Sequence, residues 1–365
     1  MKDELKTVIK NLLIDVLIIL AGIVIGPLGF GLIRNLPLIY ALSEIGIAFL
    51  LFTAGMEISV KKLKETTKPA LIIGFIEIVI VFLLASAALL FFSNILSLKE
   101  IFYIAVAIMF SSTVVVVKLL ADKRELATLH ARIILTILIL QDIVAILLLA
   151  FLSVERFSAL IIIAAILKLA FMFLLMLLFK RVITPLLKFC AKNHELMLLV
   201  PIALVFLFAL LANLVGLSIV VGAFLAGLLF AESDYKIEVE AKLKPLRDFF
   251  STLFFVSLGL QLTQLTHNIV VILPAILFLA IVIKPIVIFI STRSLGFKRI
   301  TAVATSISLG QLSEFGLIIA LQALLFGHIT SSTFTLIVLA TISVSYTHLR
   351  AHETEADLVC RLLLE

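Results

Sequence analysis

Asp142 stands about ten residues from either end of an apolar run, Arg132 to Leu152. A run of that length spans a bilayer, which places the carboxylate near the midplane, where inserting a charged side chain costs about 2.5–3.5 kcal/mol. Such a residue faces an ion or proton pathway, or is hydrogen-bonded between helices. A carboxyl group suits secondary transport because it is a hard oxygen ligand when ionised and neutral when protonated, so it holds a cation or a proton but not both. Gln141 precedes it and offers an amide oxygen without charge. Thr113 and Ser112 offer hydroxyls from another apolar segment and complete a candidate cation and proton site with Asp142 and Gln141.

Lys284 is the second midplane charge. It balances the carboxylate or the ends of opposed helices, or it snorkels to the nearer interface. Glu314 holds a helix end or lines the pathway. Glu77 and Lys168 read as structural partners inside the bundle and Lys118 as a snorkelling lysine. Asp15, Glu44 and Glu57 sit close enough to segment ends to be interfacial.

These residues need long apolar elements to position them. The chain is 63% hydrophobic and 14% charged, the composition of a polytopic helical membrane protein. Twelve apolar segments can be drawn, at 11–33, 37–56, 69–92, 101–120, 133–153, 157–179, 195–215, 217–231, 246–262, 268–291, 301–326 and 332–345. The net charge of +6, which in a soluble chain could point to nucleic acid, has another distribution here. Twenty-one lysines and arginines fall on loops of one side, against only Arg34, Lys99 and Arg156 on the other. The positive-inside rule therefore puts both ends of this chain in the cytosol of a plasma-membrane protein. Met1 to Lys6 forms a short charged leader with no cleavage site. Cys190 and Cys360 give neither a metal-ligand spacing nor a disulfide framework. No metal or cofactor is expected.

Two segments are poor helices at their centres. The fourth contains Met109-Phe-Ser-Ser-Thr113. The eleventh contains Ser308-Leu-Gly-Gln-Leu-Ser-Glu-Phe-Gly316, with Gly310, Gln311 and Ser313 as its polar break. Small and hydroxylated residues at mid-membrane let a helix unwind where its carbonyls line a polar cavity, or simply let helices pack closely. The two breaks lie seven segments apart, an odd offset that sets them in opposite orientation, as in inverted-repeat transporters.

Together with Ser111-Ser-Thr113, Gln141-Asp142, Lys284 and Gly310-Gln-Leu-Ser-Glu-Phe315, three longer stretches carry a resemblance: Gly22 to Gly31, Glu44 to Glu57 and Gly216 to Gly227. The chain resembles the monovalent cation/proton antiporters, in the branch that contains the Kef-type potassium-efflux systems. The resemblance implies an all-α polytopic membrane protein with a sodium/proton-antiporter-like fold, inverted repeats and two crossed discontinuous helices. It implies a core of segments 3–5 and 10–12, and a dimerising scaffold made mainly of 1, 2 and 7–9. It further implies exchange of a monovalent cation for protons by alternating access, with K+ preferred to Na+ because Gln141-Asp142 looks like the Kef-type pair. A sodium-coupled organic-anion symporter and a gated K+ efflux pathway are the alternatives. An enzyme is not expected, because the acid pairs, serine motifs and metal motifs of intramembrane proteases do not occur.

Two departures from the family stand at the ends. The Gly-Pro-x-Gly motif of the family's second helix sits on the first segment here, which puts a homodimer in question. From Ser345 the apolar pattern stops, and 345–365 reads as a discordant, non-native tail after an exchanger domain at 1–344. His348 and His352 have helical spacing but no third metal ligand.

Overall fold

The computed structural model describes residue 14 and residues 16–362 apart from 34, 59–67, 127, 153–158, 191–192, 194 and 265. Asp15, Arg34, Arg156 and the basic residues of 59–67 lie outside the described residues, as do the side chains of His348 and His352. The described chain is helical almost throughout: α1 (Val16–Ile25), α2 (Leu36–Glu57), α3 (Lys68–Leu89), α4 (Leu98–Met109), α5 (Thr113–Asp122), α6 (Leu129–Phe151), α7 (Ala159–Cys190) and α8 (Leu196–Val215). There follow α9 (Ile219–Ala231), α10 (Lys236–Leu260), α11 (His267–Phe278), α12 (Lys284–Ser294), α13 (Arg299–Ser308), α14 (Glu314–Leu325) and α15 (Ser331–Leu362).

Six of these stretches are long and apolar enough to cross a membrane by length and composition, among them α6 and the joined α11–α12. Four shorter apolar helices, Val16–Ile25, Ile219–Ala231, Glu314–Leu325 and Ser331–Ser345, add to them. The segments at 101–120 and 301–326 are each two helices with a gap. Elsewhere several helices outrun their apolar segments. α10 begins at Lys236 although apolar character starts only near 246, and α7 continues to Cys190. α15 stays helical to Leu362, well past the change of composition at Ser345.

Local chemistry sets many of the ends. Asn35 caps α2, its side chain accepting from the Leu38 N–H at 3.3 Å, and a proline follows within the first turn. Ser97 and Glu100 form a reciprocal capping box on α4. α8 closes on Gly216 at φ 77°, with the Leu217 N–H returning to the Ala212 carbonyl at 2.8 Å, a left-handed cap that favours glycine.

The chain divides into two compact units. The first comprises 66–145 and 262–365 with the N-terminal 17 residues, hence segments 3–5 and 10–12. The second comprises 18–65 and 146–261, hence segments 1, 2 and 6–9. This is the core and scaffold division that the resemblance implies, with the sixth segment joining the scaffold.

The second unit is built on backbone-to-backbone helix contacts. A Cβ placed on Gly227 of α9 would meet the Phe52 carbonyl oxygen of α2 at 2.0 Å, and one on Gly55 would meet that of Phe224 at 2.4 Å. Without a hydrophobic drive in lipid, this closeness is what small residues supply. Phe49 stacks on Phe250 at 4.3 Å between ring centroids, and the Ser43 hydroxyl donates to that of Ser257 at 2.6 Å.

In the first unit, α3–α6 and α11–α15 each carry a broken helix as their middle member. An apolar cluster of Ala70, Ile73, Val116, Leu120, Ile134, Ile137, Ile288 and Leu309 packs one end of the unit. Between α11 and α12, residues Leu279–Ile283 form a wider, π-helical turn. Pro285 follows, and a proline inside a helix removes one N–H donor and pushes its ring against the carbonyl four residues back. A widened turn there relieves the clash and commonly marks a functional position.

Candidate cation site at the crossed helix breaks

At the first break, Phe110 and Ser112 are extended, with ψ 144° and 116°, so α4 ends at Met109 and α5 restarts at Thr113. Three carbonyls at this unwinding accept from side chains. The Met109 oxygen accepts from Gln141 Nε2 at 3.2 Å, that of Phe110 from Lys284 Nζ at 2.8 Å, and that of Ser112 from Gln311 Nε2 at 3.3 Å. At the second break, the Leu309 carbonyl accepts from the Ser111 hydroxyl at 2.8 Å and the Gln311 carbonyl from Lys284 at 3.0 Å. Irregular backbone at membrane depth persists only when satisfied in this way. The two breaks therefore cross, each satisfied by side chains beyond its own helix. Close approach of the half-helices α4 and α14 is possible because Gly316 faces Ala107, where an added Cβ would lie at 3.2 Å.

Asp142 and Gln141 project from α6 toward this crossing. The Thr113 hydroxyl reaches both carboxylate oxygens of Asp142, at 3.1 and 3.2 Å, and Asp142 itself is 8% exposed. Gln141 is committed elsewhere. Its Oε1 accepts from the Ser111 N–H at 2.8 Å, and its Nε2 donates to Glu77 Oε2 at 2.7 Å as well as to Met109. The partners fix the amide orientation, since a flip would set acceptor against acceptor and donor against donor. Ser112 caps α5, its hydroxyl accepting from the Val115 N–H at 3.4 Å. Ser313 caps α14 by accepting from the Phe315 N–H, Glu314 is the first residue of that helix, and Gly310 lies in the gap with Gln311.

Lys284 is fully buried and bridges the carbonyls of both breaks, so its side chain does not snorkel. It serves as a fixed positive cap on two helix C-termini that would otherwise end in the membrane. Lys168 belongs to the other unit, where its ammonium lies against the C-terminal end of α8 at Gly216.

The sequence brought Asp142, Gln141, Thr113, Ser112, Lys284 and Gln311 forward, and the structure gathers them at the crossing. It also brings in two residues with other expectations. Ser111 read only as part of a motif, yet it bonds to both Gln141 and the second break. Glu77 read as a structural partner and proves to be the acid against Gln141. Its signal in the sequence is a lone carboxylate within the apolar run Ile76 to Phe82.

Comparison with known proteins is consistent with this geometry. Residues 10–348 match the family model described as the transmembrane part of the sodium/hydrogen exchanger. K(+) efflux antiporter 6 of Arabidopsis thaliana is 30% identical, the match covering 84% of this chain and 53% of the relative. The glutathione-regulated potassium-efflux system protein KefC of Klebsiella pneumoniae (strain 342) is 30% identical, covering 82% and 50%. The chain thus spans about half the length of these relatives. The solved sodium proton antiporter MjNhaP1 of Methanocaldococcus jannaschii shares the fold, with a TM-score of 0.68 at 16% identity, covering 99% of this chain and 100% of that one. The all-helical architecture with inverted repeats and two crossed discontinuous helices is this fold. A carboxylate beside crossed breaks, on a chain matched over nearly its whole length, makes this polytopic membrane protein a member of the sodium/hydrogen exchanger family, in the Kef-type branch of the monovalent cation/proton antiporters.

Proposed function

We propose that the protein exchanges a monovalent cation, K+ in preference to Na+, for protons by alternating access at Asp142. The observation that carries this reading is the Asp142 carboxylate, almost buried, with the Thr113 hydroxyl on both its oxygens beside the crossed breaks. A cation entering there would replace the hydroxyl's proton side with its own charge, and could take the Thr113 oxygen and both carboxylate oxygens as hard ligands. A proton on the same carboxylate removes the charge and with it the cation's reason to stay. Each excludes the other, which is the requirement for coupling.

The preference for K+ rests on the Gln141-Asp142 pair and on the K+ efflux relatives. The basic loops support placing both ends of this chain in the cytosol of the plasma membrane.

The test is proton flux, reported by a pH-sensitive dye in everted vesicles, with K+, Na+ and Li+ added separately. Wild-type protein should release protons on addition of K+ and, more weakly, Na+. Asp142→Asn should abolish the signal while the protein remains folded, since an amide can neither titrate nor balance a bound cation. Proton-coupled flux retained by a well-expressed Asp142→Asn protein overturns the reading.

A further inference from the structure

The exchange site draws on the first unit, yet the second unit holds a polar cluster of its own. Ser43 of α2, Ser257 of α10 and Gln261, the residue that closes α10, are 0%, 1% and 6% exposed. Their side-chain hydrogens are all spent within the cluster. Gln261 Nε2 donates to the Ser43 hydroxyl at 3.1 Å and to the Ser257 carbonyl at 3.0 Å. The Ser43 hydroxyl reaches that of Ser257 at 2.6 Å and the Ile39 carbonyl at 2.8 Å, and the Ser257 hydroxyl donates to the Phe254 carbonyl at 2.6 Å. Gln261 Oε1 is left buried with no donor among the described residues. Turning the amide over does not help, because it sets oxygen against the Ser257 carbonyl. The cluster is short of one donor or one positive charge, and a buried acceptor in that state is costly.

The surroundings favour a positive charge. Gln261 stands at the C-terminus of α10, the negative end of a helix, where the last carbonyls have no donor from a following turn. Glu44, the next residue along α2 from Ser43, is a half-buried carboxylate that makes no hydrogen bond or ion pair among the described residues. An amide oxygen, a helix C-terminus and a carboxylate are all hard oxygen groups suited to an alkali cation. A single carboxylate matches a single charge, whereas a divalent ion such as Ca2+ gathers six to eight oxygens, commonly from several acids. We propose that the second unit binds a monovalent alkali cation at the C-terminal end of α10, with Gln261 Oε1 as a ligand and Glu44 supplying the charge. This site is built on α2 and α10 and shares no residue with the crossing that carries Asp142. The basic residues Lys236, Lys242, Lys244 and Arg247 mark the other end of α10 as cytosolic, so the site belongs to the outer half of the molecule.

The experiment reads the melting temperature of the full chain in detergent as KCl or NaCl replaces choline chloride at constant ionic strength. Asp142→Asn serves as the background, so that the exchange site does not contribute to the reading. Saturating K+ or Na+ should raise the melting temperature of that protein by about 2–4 °C, as a ligand specific to the folded state does. Adding Gln261→Met, which keeps the shape and removes the oxygen, should abolish the rise. Adding Glu44→Gln should raise the half-saturating concentration about threefold to tenfold. Adding Gln261→Glu puts a charged oxygen in place of the neutral one and should lower it by a similar factor. A purely structural Gln261 would lower the melting temperature in choline and leave the response to K+ and Na+ intact. An Asp142→Asn protein that melts alike in all three salts overturns the proposal, as does a full response retained in Gln261→Met or an unchanged half-saturation in Glu44→Gln. Should Gln261→Met fail to fold, Gln261→Glu decides, and a half-saturation no lower than in the background overturns the proposal. Because the Gln261 and Glu44 variants are each compared with the same background, the outcome does not depend on whether Asp142 carries exchange, which proton flux tests separately.

Discussion

Gln141 illustrates how much of this site lies beyond its most visible residue. A single polar side chain in an apolar run announces itself, and Asp142, Gln141, Lys284 and Glu77 were all legible in that way. Their pairing was not. Gln141 and Glu77 are 64 residues apart, and nothing local to either fixes which donor meets which acceptor. The amide oxygen offered for a cation also accepts from the Ser111 N–H. Replacing Gln141 by Ala should therefore act through the fold: it leaves the Ser111 N–H and the Glu77 Oε2 without partners, at about 1–3 kcal/mol for each buried group. A lower melting temperature in detergent, read by fluorescence-detected size-exclusion chromatography, is the expected result, and an unchanged one means the amide is dispensable. Thr113→Val, by contrast, keeps the shape and removes the hydroxyl that donates to both carboxylate oxygens of Asp142. It should weaken K+ dependence by about fivefold to tenfold, in line with a lost charge-assisted hydrogen bond, with little change in melting temperature.

Among the helices, the two breaks were readable because Ser-Ser-Thr in one and Gly310 and Ser313 in the other are poor helix formers at a depth where little else interrupts the apolar pattern. The helix ends were less so. Hydropathy closes a segment where charges begin, but the backbone hydrogen-bond ladder does not stop there, which is why α10 reaches back to Lys236 and α7 on to Cys190. The widened turn before Lys284 was missed for a related reason: Lys284-Pro285 drew notice for its charge, while the proline's demand on the preceding turn went unread. The contacts of α2 and α9 make a sharper expectation. Gly227→Ala sets a methyl group at 2.0 Å from the Phe52 carbonyl, with backbone on both sides and no flexible side chain to yield. It should destabilise the protein by about 1–3 kcal/mol as an overpacking defect. A Gly227→Ala protein as stable as wild type in the same assay argues that the helices part readily.

For the whole molecule, composition established the membrane setting, and spacing of the two breaks established the repeat. The division into two units followed from the resemblance, because no composition shift marks where one unit yields to the other, and the dividing line falls inside α6. Sidedness is the expectation that belongs at this scale. Lys99, in the first turn of α4, and Lys298, just before α13, are both exposed and are assigned to opposite faces by charge. With Cys190 and Cys360 replaced by serine, a cysteine at position 298 should react with an impermeant maleimide only in everted vesicles, and one at position 99 only in right-side-out cells. The reverse pattern inverts the orientation.

The crossing has a consequence for how such a chain tolerates change. Several of its long-range bonds run from a side chain to a peptide oxygen: Ser111 of one break to Leu309 of the other, Gln311 to Ser112, and Lys284 of α12 to Phe110. A peptide oxygen is the same whatever residue bears it. The burden of heredity is thus one-sided, with donors held to a narrow alphabet and acceptor positions answerable only for bulk and hydrophobicity. In a saturation library scored for K+/H+ exchange, positions 110 and 309 should admit several large apolar residues, whereas 111, 284 and 311 should admit almost none.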